Sequence, residues 1–368
     1  MRLSHLSLLN FRNYEEESIC FSSDTNVFIG NNAQGKTNAL EAIYLLATLQ
    51  TFRPAENKDL IQWEKKEATL RGIFEEGDVQ QHYSLHIEPL GKRPRINDKV
   101  IKKTSEYFGL VHIICFCPFD LQVLQGAPVL RRRYLDRSLF NFNSQYAVEI
   151  GNYYRAFLQH NAALRIENEE MIEIWREKQL FLGAKILLKR LQFIAELNTL
   201  TPYLYREISG SKEEVSIHYD SEIKCSNINN LNEENILELL KDKQKEVLGL
   251  ERKLKRSLVG PHRDQFSVFI SEKNIKVFGS QGEQRTAILA LKLSELVAME
   301  QKKGTKPLFL LDDITSELDE KRKGYLFESL KQKGTQVFVT TTDVKSLKAN
   351  DEQEKALFKV ENGKIQPL

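Results

Sequence analysis

Gly30 Asn31 Asn32 Ala33 Gln34 Gly35 Lys36 Thr37 is a G-x-x-x-x-G-K-[ST] stretch, and its flanks are those such a loop requires. Asn26 to Ile29 before it ends in an apolar run that reads as a buried strand, and Ala39 to Leu49 after it carries helix formers with apolar residues at helical spacing. Gly30 and Gly35 can take backbone angles closed to other residues. The amides of Asn31, Asn32, Ala33 and Gln34 can therefore turn inward around an anion, at which the following helix points its positive end. Lys36 adds a point charge for the outer phosphates, the Thr37 hydroxyl suits a magnesium ion, and Asn38 carries the cradle into the helix. The expectation is an α/β P-loop protein that binds a nucleoside triphosphate, ATP, with Mg2+.

Far downstream, Pro307 to Asp313 is an apolar strand ending in two acids. Parallel to the strand before the loop, it delivers carboxylates to the sheet edge where nucleotide sits. Asp312 is then the magnesium-side acid, with Thr37. Asp313 points differently, toward where an attacking water is polarised; without the phosphate loop, the same two acids would read as a turn or helix cap. Between the motifs, Gly279 Ser280 Gln281 Gly282 Glu283 Gln284 Arg285 opens a long amphipathic helix through Ile288, Leu291, Leu296 and Val297. Its start suits a second anion. With only one phosphate loop per chain, that second site makes sense if it grips the nucleotide held by another copy, an ATP-dependent homodimer.

A chain of 368 residues exceeds the usual single core and implies two lobes. Hydrophobic content of 41% with 28% charged residues fits a soluble globular protein, without an apolar segment long enough for a membrane. The alternating start Met1 to Asn10 is too short for a secretory leader and reads as a first strand. Four cysteines are too few for a disulfide framework, and Cys115 with Cys117 lacks a second pair for zinc, so reduced thiols in a cytoplasm are expected. A net charge of +2 means that any nucleic acid is met by a local patch. Candidate patches are Lys92 Arg93 Pro94 Arg95 with Lys99, Lys102 and Lys103, then Arg131 to Arg133, and Arg252 Lys253 Lys255 Arg256. Each reads equally as a solvated face.

The two nucleotide motifs are far apart in sequence, so the chain between them leaves the sheet and returns. The division expected is a head from 1–117, a mainly helical inserted lobe over 118–256, and the rest of the head over 257–368. From Tyr134 to about Leu200 the pattern is that of long helices. Tyr146, Ile150, Tyr153, Tyr154, Phe157 and Leu158 recur at helical spacing, which favours a core seam over a base-stacking stripe, and Leu180, Ile186, Leu187 and Leu191 repeat it. Asn227 to Asn235 reads as a solvent loop, and the return to the head falls near Ser257 to His262. His262 reads as a turn cap. No extended heptad array is present.

The order of phosphate loop, S-x-G-x-Q segment, acidic strand and Ser316 Glu317 Leu318 Asp319 resembles the head of an ABC-type ATPase, the last four residues being similar to its D-loop. Within that superfamily the chain resembles the RecF family of bacterial recombination mediators. The likeness is carried by Pro118 to Asp136, by Val259 Gly260 Pro261 His262 Arg263 Asp264, and by Leu311 to Asp319. It extends from Leu9 Asn10 Phe11 Arg12 Asn13 Tyr14 to Thr340 Thr341 Thr342 Asp343. Phe119 stands where the family usually has an acid. Asp313 stands where most ABC ATPases have glutamate, and Thr340 to Thr342 where many have histidine; both are usual in RecF and imply slow hydrolysis.

The resemblance implies that Ser280, Gly282, Gln284 and Asp319 complete the partner's nucleotide site, and that Lys36 and Asp313 serve hydrolysis. It also implies gapped DNA at single-strand to duplex junctions as ligand, RecO and RecR as partners, and RecA loading as the outcome. Two other readings use the same head. A transporter's energising subunit would need a surface for a membrane partner and would leave Pro118 to Asp136 without a use. A nuclease would need an acid-rich catalytic domain, for which the sequence through Leu368 offers no segment.

Overall fold

Six strands build the sheet that carries the phosphate loop: β15 (Lys364–Pro367), β14 (Lys355–Glu361), β3 (Thr25–Ile29), β13 (Val337–Thr341), β12 (Leu308–Leu311) and β8 (Ile113–Phe116), in that spatial order. The computed structural model describes residues 1–22, 24–103, 106–223, 231–313, 318–343 and 355–368. All strands but the edge strand β15 run parallel. Strands buried on both faces read as unbroken apolar runs, and every residue of β8, β12 and β13 is buried. The run before Asp312 is thus a strand parallel to β3, with β13 between them. Parallel strands share a carboxyl edge, so residues after Ile29, Leu311 and Thr341 emerge on one side.

The alternating N-terminus is a first strand, as its pattern predicts. It lies in a second, antiparallel sheet ordered β2 (Tyr14–Cys20), β1 (Arg2–Phe11), β4 (Ala68–Glu76), β5 (Val79–Glu88), β6 (Gly91–Ile96) and β7 (Lys99–Val100). One face of this sheet is apolar: Leu6, Leu8, Leu70, Phe74, Tyr83 and Leu85 enter a single core. Helix α1 (Lys36–Thr48) touches strands of both sheets, and Ala39 through Thr48 are all buried. A helix enclosed on every side carries apolar residues all round, which is why its sequence shows no one-sided stripe.

These sheets belong to one of two units, formed by Met1–Leu121, Leu204–Ser211 and Gln281–Leu368; the other comprises Gln122–Tyr203 and Lys212–Ser280. In the second unit the long helices expected from Tyr134 onward are α4 (Pro128–Phe142), α5 (Ser144–Ile166) and α6 (Glu169–Ser209), the last running on into the first unit; α7 (Glu233–Leu254) joins them. Asn232 caps α7 by accepting a hydrogen bond from the Asn235 amide; Asn227 to Asn230 of the expected loop lie outside the described residues. Residues 257–280 stay with this unit because β10 (Gln265–Ile270) pairs along its length with β9 (Val215–Asp220). Of the aromatic stripe, Tyr146, Ile150 and Tyr153 are core, whereas Tyr154 and Leu158 are exposed.

A polar network runs through the second unit. The His262 ring is set by its neighbours: Nδ1 meets the Tyr153 hydroxyl at 2.5 Å and the ring lies against Phe157, their centroids 4.4 Å apart. Burial brings its pKa down to about 4. Burial also raises the Asp264 carboxyl to about 6, against the pull of Arg190 and a hydrogen bond from the Tyr219 hydroxyl. The two shifts act oppositely on stability. Folded Asp264 keeps a proton that the unfolded chain releases between pH 3.8 and about 6, so its contribution falls as pH rises through that window. Folded His262 refuses a proton that the unfolded chain takes up below 6.5, so its contribution grows as pH rises from about 4. Asp264→Asn removes the first term alone. Its stability relative to wild type should climb by roughly 2 kcal/mol between pH 4 and 6.5, at 1.36 kcal/mol per pKa unit. Urea unfolding at stepped pH measures this, and a difference that does not change with pH refutes it.

Candidate functional site

The loop from Gly30 to Gly35 is braced from three sides. Asn13, in the turn between β1 and β2, donates from Nδ2 to the Gln34 carbonyl at 2.9 Å, and the Tyr14 hydroxyl donates to the Gly35 carbonyl at 2.9 Å. From the turn between β14 and β15, the Asn362 amide reaches Gln34 Oε1 at 2.7 Å and the Gly363 amide reaches the Gln34 carbonyl at 3.2 Å. A side chain on Gly30 would meet the Val360 carbonyl at 2.2 Å, and Gly35 sits at φ +120°, so both glycines are required by space and by conformation. Asn38 donates to Asn13 Oδ1 at 2.7 Å. Lys36 Nζ donates to the carbonyls of Gly30 (2.7 Å) and Asn31 (2.8 Å), curled over the cradle. Burial lowers its pKa while Asp313 and Asp312 pull it back up.

The acids stand where the shared sheet edge brings them. Asp312 Oδ1 accepts hydrogen bonds from Thr37 Oγ1 and Thr340 Oγ1, both at 2.8 Å, although Thr37 is 275 residues away in sequence. Burial pushes the Asp312 carboxyl up; the two threonine hydroxyls oppose that, and Asp313 adds to it. A buried carboxylate fixed by two hydroxyl donors beside an ammonium is a cation site in its chemistry. The Asp313 amide donates to Thr340 Oγ1 at 2.8 Å, and its backbone is left-handed at φ 49°. For a non-glycine residue that conformation is strained.

The S-x-G-x-Q residues form a second group. Gln281 starts α9 (Gln281–Lys303). The Gly282 carbonyl accepts from Thr286 Oγ1 at 2.8 Å and from Arg322 Nη2 at 3.2 Å; Arg322 Nε also donates to Thr286 Oγ1 at 2.7 Å and Nη1 pairs with Asp319. Asp319 in turn caps α10 (Glu320–Gln332), accepting from the Arg322 amide at 2.9 Å. Arg322 thus ties Gly282 to Asp319, and motif reasoning passed over it because an arginine early in a helix carries no pattern of its own. Gln284 is buried one turn on, and Ser280 immediately precedes the helix. Ser316 and Glu317 lie outside the described residues.

Another group missed from sequence surrounds Glu41, a fully buried acid in the middle of α1. Arg12 grips it through Nε (2.9 Å) and Nη2 (3.0 Å), and Arg53 through Nε (3.0 Å) and Nη2 (2.7 Å); Arg53 also reaches Asn38. The signal was the acid itself, since an ionised residue inside an apolar helix demands cations. The basic patches divide on inspection. Lys92 turns inward to the Leu49 carbonyl at 2.9 Å, with burial lowering its pKa. Arg131 and Arg132 bond Gly126, Gln265 and the Asp264 carbonyl within their own unit, and Arg252 and Lys255 pair with Glu169 and Glu167. Cys115 and Cys117 are buried and free, the Cys115 thiol pushed well up by burial, as expected of inert reduced thiols.

A phosphate loop, a hydroxyl-fixed acid at a parallel sheet edge and an S-x-G-x-Q segment opening a helix define a P-loop ATPase head. The AAA ATPase domain family matches residues 1–368. Proteins named DNA replication and repair protein RecF are 35% identical in Geotalea uraniireducens, over 99% of this chain and all of that one, and 36% identical in Geobacillus kaustophilus, over 99% of each. A solved structure titled as the recombination mediator protein RecF with ATP in the RecFOR pathway superposes with a TM-score of 0.91 at 32% identity, covering 100% of this chain and 97% of that one. The head of an Smc protein bound to the C-terminal winged-helix domain of ScpA aligns at a TM-score of 0.57 and 15% identity, a likeness of fold alone. The chain belongs to the RecF family. No helix among the described residues is long and apolar enough to cross a membrane.

Proposed function

We propose that this chain is an ATP-controlled DNA clamp of recombinational repair in the cytoplasm. The observation that carries the reading is the triangle of Thr37, Asp312 and Thr340, which joins the phosphate loop to two other strands of the sheet. ATP fits the amides of Asn31 to Gly35 with Lys36, and Mg2+ fits Thr37 and Asp312. Bound magnesium supplies charge neutralisation on the outer phosphates. Lys36 exchanges its carbonyl partners for phosphate oxygens, and Asp313 orients and polarises a water. One carboxylate without an imidazole makes for slow hydrolysis, suited to a timer that DNA stimulates.

Ser280, Gly282 and Gln284, with Asp319 tied in through Arg322, act on the nucleotide of a second copy. The Gly282–Arg322–Asp319 group holds itself together by contacts other than those that shape the phosphate loop, as a surface offered to a partner requires. Closure of two copies creates the DNA-gripping form, and hydrolysis releases it. The names of the relatives support work on DNA in replication and repair, and the titles of the solved structures support a place in the RecFOR pathway. On that basis the ligand is gapped DNA at single-strand to duplex junctions, the partners are RecO and RecR, and the outcome is RecA loading.

Sedimentation with a non-hydrolysable ATP analogue and a gapped duplex tests the scheme. Wild type should shift to a dimer and retain DNA. Ser280→Arg should bind the analogue within about threefold of wild type yet remain monomeric at concentrations where wild type dimerises. If Ser280→Arg loses nucleotide binding as a monomer, Ser280 serves its own chain's site and the dimer scheme fails.

A further inference from the structure

The outer face of the antiparallel sheet has no part in the nucleotide site. Alternation along β1, β4, β5 and β6 sends the apolar residues into the core and leaves His5, Ser7, Thr69, Arg71, Ser84 and Arg95 outward. They line an open depression of about 590 Å³, which three of the chain's seven histidines, His5, His82 and His86, also border. Pairing places Ser7, Arg71, Ser84 and Arg95 in one row across four strands. At about 4.8 Å per strand the two arginines start about 10 Å apart with a serine between them.

The charges in this row are uncompensated. Arg93, in the neighbouring row, pairs with Glu88 at 3.0 Å. Arg71 and Arg95 have no acidic partner among the described residues, and both are exposed. Two guanidiniums held on a rigid sheet beside serine and threonine hydroxyls, with Asp98 as the one acid lining the depression, form a donor-rich surface, the chemistry that recognises phosphate oxygens. Aromatic rings, which single-stranded bases would need for stacking, do not point outward here; Tyr83 and Phe74 turn to the core. Apolar exposure on the row is confined to its edge, where Val100, paired with Arg95, is 49% exposed.

We infer that the outer face of this sheet, centred on the Ser7–Arg71–Ser84–Arg95 row, is a contact surface for the phosphate backbone of duplex DNA, separate from the nucleotide-dependent dimer contacts. The inference rests on the proposed role in DNA binding and adds its location. It also resolves the Lys92 to Arg95 cluster: the period of the strand sends Arg93 and Arg95 to this face and Lys92 to the interior.

The test is the salt dependence of binding to a labelled 30-base-pair duplex, compared between wild type and Arg71→Ser/Arg95→Ser. Serine is already tolerated at both neighbouring places in the row. Loss of two phosphate contacts should lower the slope of log K against log salt by about 1.8 and weaken binding roughly 60-fold at 0.1 M salt, at about 0.9 per contact. Analogue-driven dimerisation should be unchanged. An unaltered slope with dimerisation intact overturns the inference and leaves the clamp reading standing. Loss of poly-glutamate binding without loss of duplex binding overturns it in favour of an acidic protein. A wild-type protein that binds no duplex at all removes the DNA reading itself.

Discussion

Lys36→Met should lose at least 100-fold in ATP affinity, about 2.7 kcal/mol, and with it analogue-driven dimerisation and DNA retention. The lysine is partly desolvated over the loop and bonded to the Gly30 and Asn31 carbonyls, while Asp312 and Asp313 supply negative charge nearby. Those carbonyl bonds are what phosphate oxygens would replace, so the ammonium is poised for exchange. Methionine keeps the length and apolar stem but leaves two acids facing a polyanion with no cation from the loop. Because the hydrogen bonds of Lys36 go to backbone of its own loop, the thermal midpoint of the protein should move by less than about 2 °C. Titration calorimetry with ATP and magnesium gives the affinity. Binding within tenfold of wild type would show that the cradle does not depend on this charge, and the site assignment would be wrong.

The reading of Lys36 and Asp312 from sequence has a physical basis. A phosphate loop is contiguous, and its glycines are demanded by local geometry, so it can be read without knowing what surrounds it. Asp312 was legible at one remove, because a buried parallel strand can be recognised by its unbroken apolar run and must end at the same edge as the others. What could not be read depends on partners distant in sequence. Glu41 gives no hint of which arginines come to it, and Arg322 becomes meaningful only when Gly282 and Asp319 are seen to share it.

The basic clusters misled for a simpler reason. Lys92 and Arg93 are neighbours in sequence but on opposite faces of a strand, one turned to the Leu49 carbonyl and the other to solvent. Arg131 stands two residues before the exposed Arg133 but is buried, its guanidinium donating to Gly126 and Gln265. The helical stripe from Tyr146 to Leu158 was legible as a seam only in part: Tyr146 and Tyr153 are seven residues apart and both buried, while Tyr154 and Leu158 fall on the other side of the same helix. A return to the head near Ser257 also looked natural, because nothing in β10 announces that its partner is β9.

Arg190→Met should destabilise the second unit by about 3–5 kcal/mol, the usual result of stripping one member from a buried ion pair. Arg190 is fully buried and holds Asp136 Oδ1 at 2.8 Å, the Tyr146 hydroxyl at 3.0 Å and the Pro261 carbonyl at 2.7 Å. Burial alone would lower the guanidinium's pKa, but Asp136, Tyr146 and Tyr219 outweigh it and hold the group firmly charged. Methionine fills much of the volume yet leaves Asp136 with only the Tyr146 hydroxyl, 2.6 Å away, to offset a buried negative charge. The cost lies in that orphaned charge more than in the lost bonds, so Asp136→Asn in the same chain should restore part of the stability. Chemical unfolding of the two single variants and the double variant separates these terms. If Arg190→Met costs less than 1 kcal/mol, the network is wet and replaceable; if Asp136→Asn restores nothing, the loss is one of packing and the ion pair does not organise this unit.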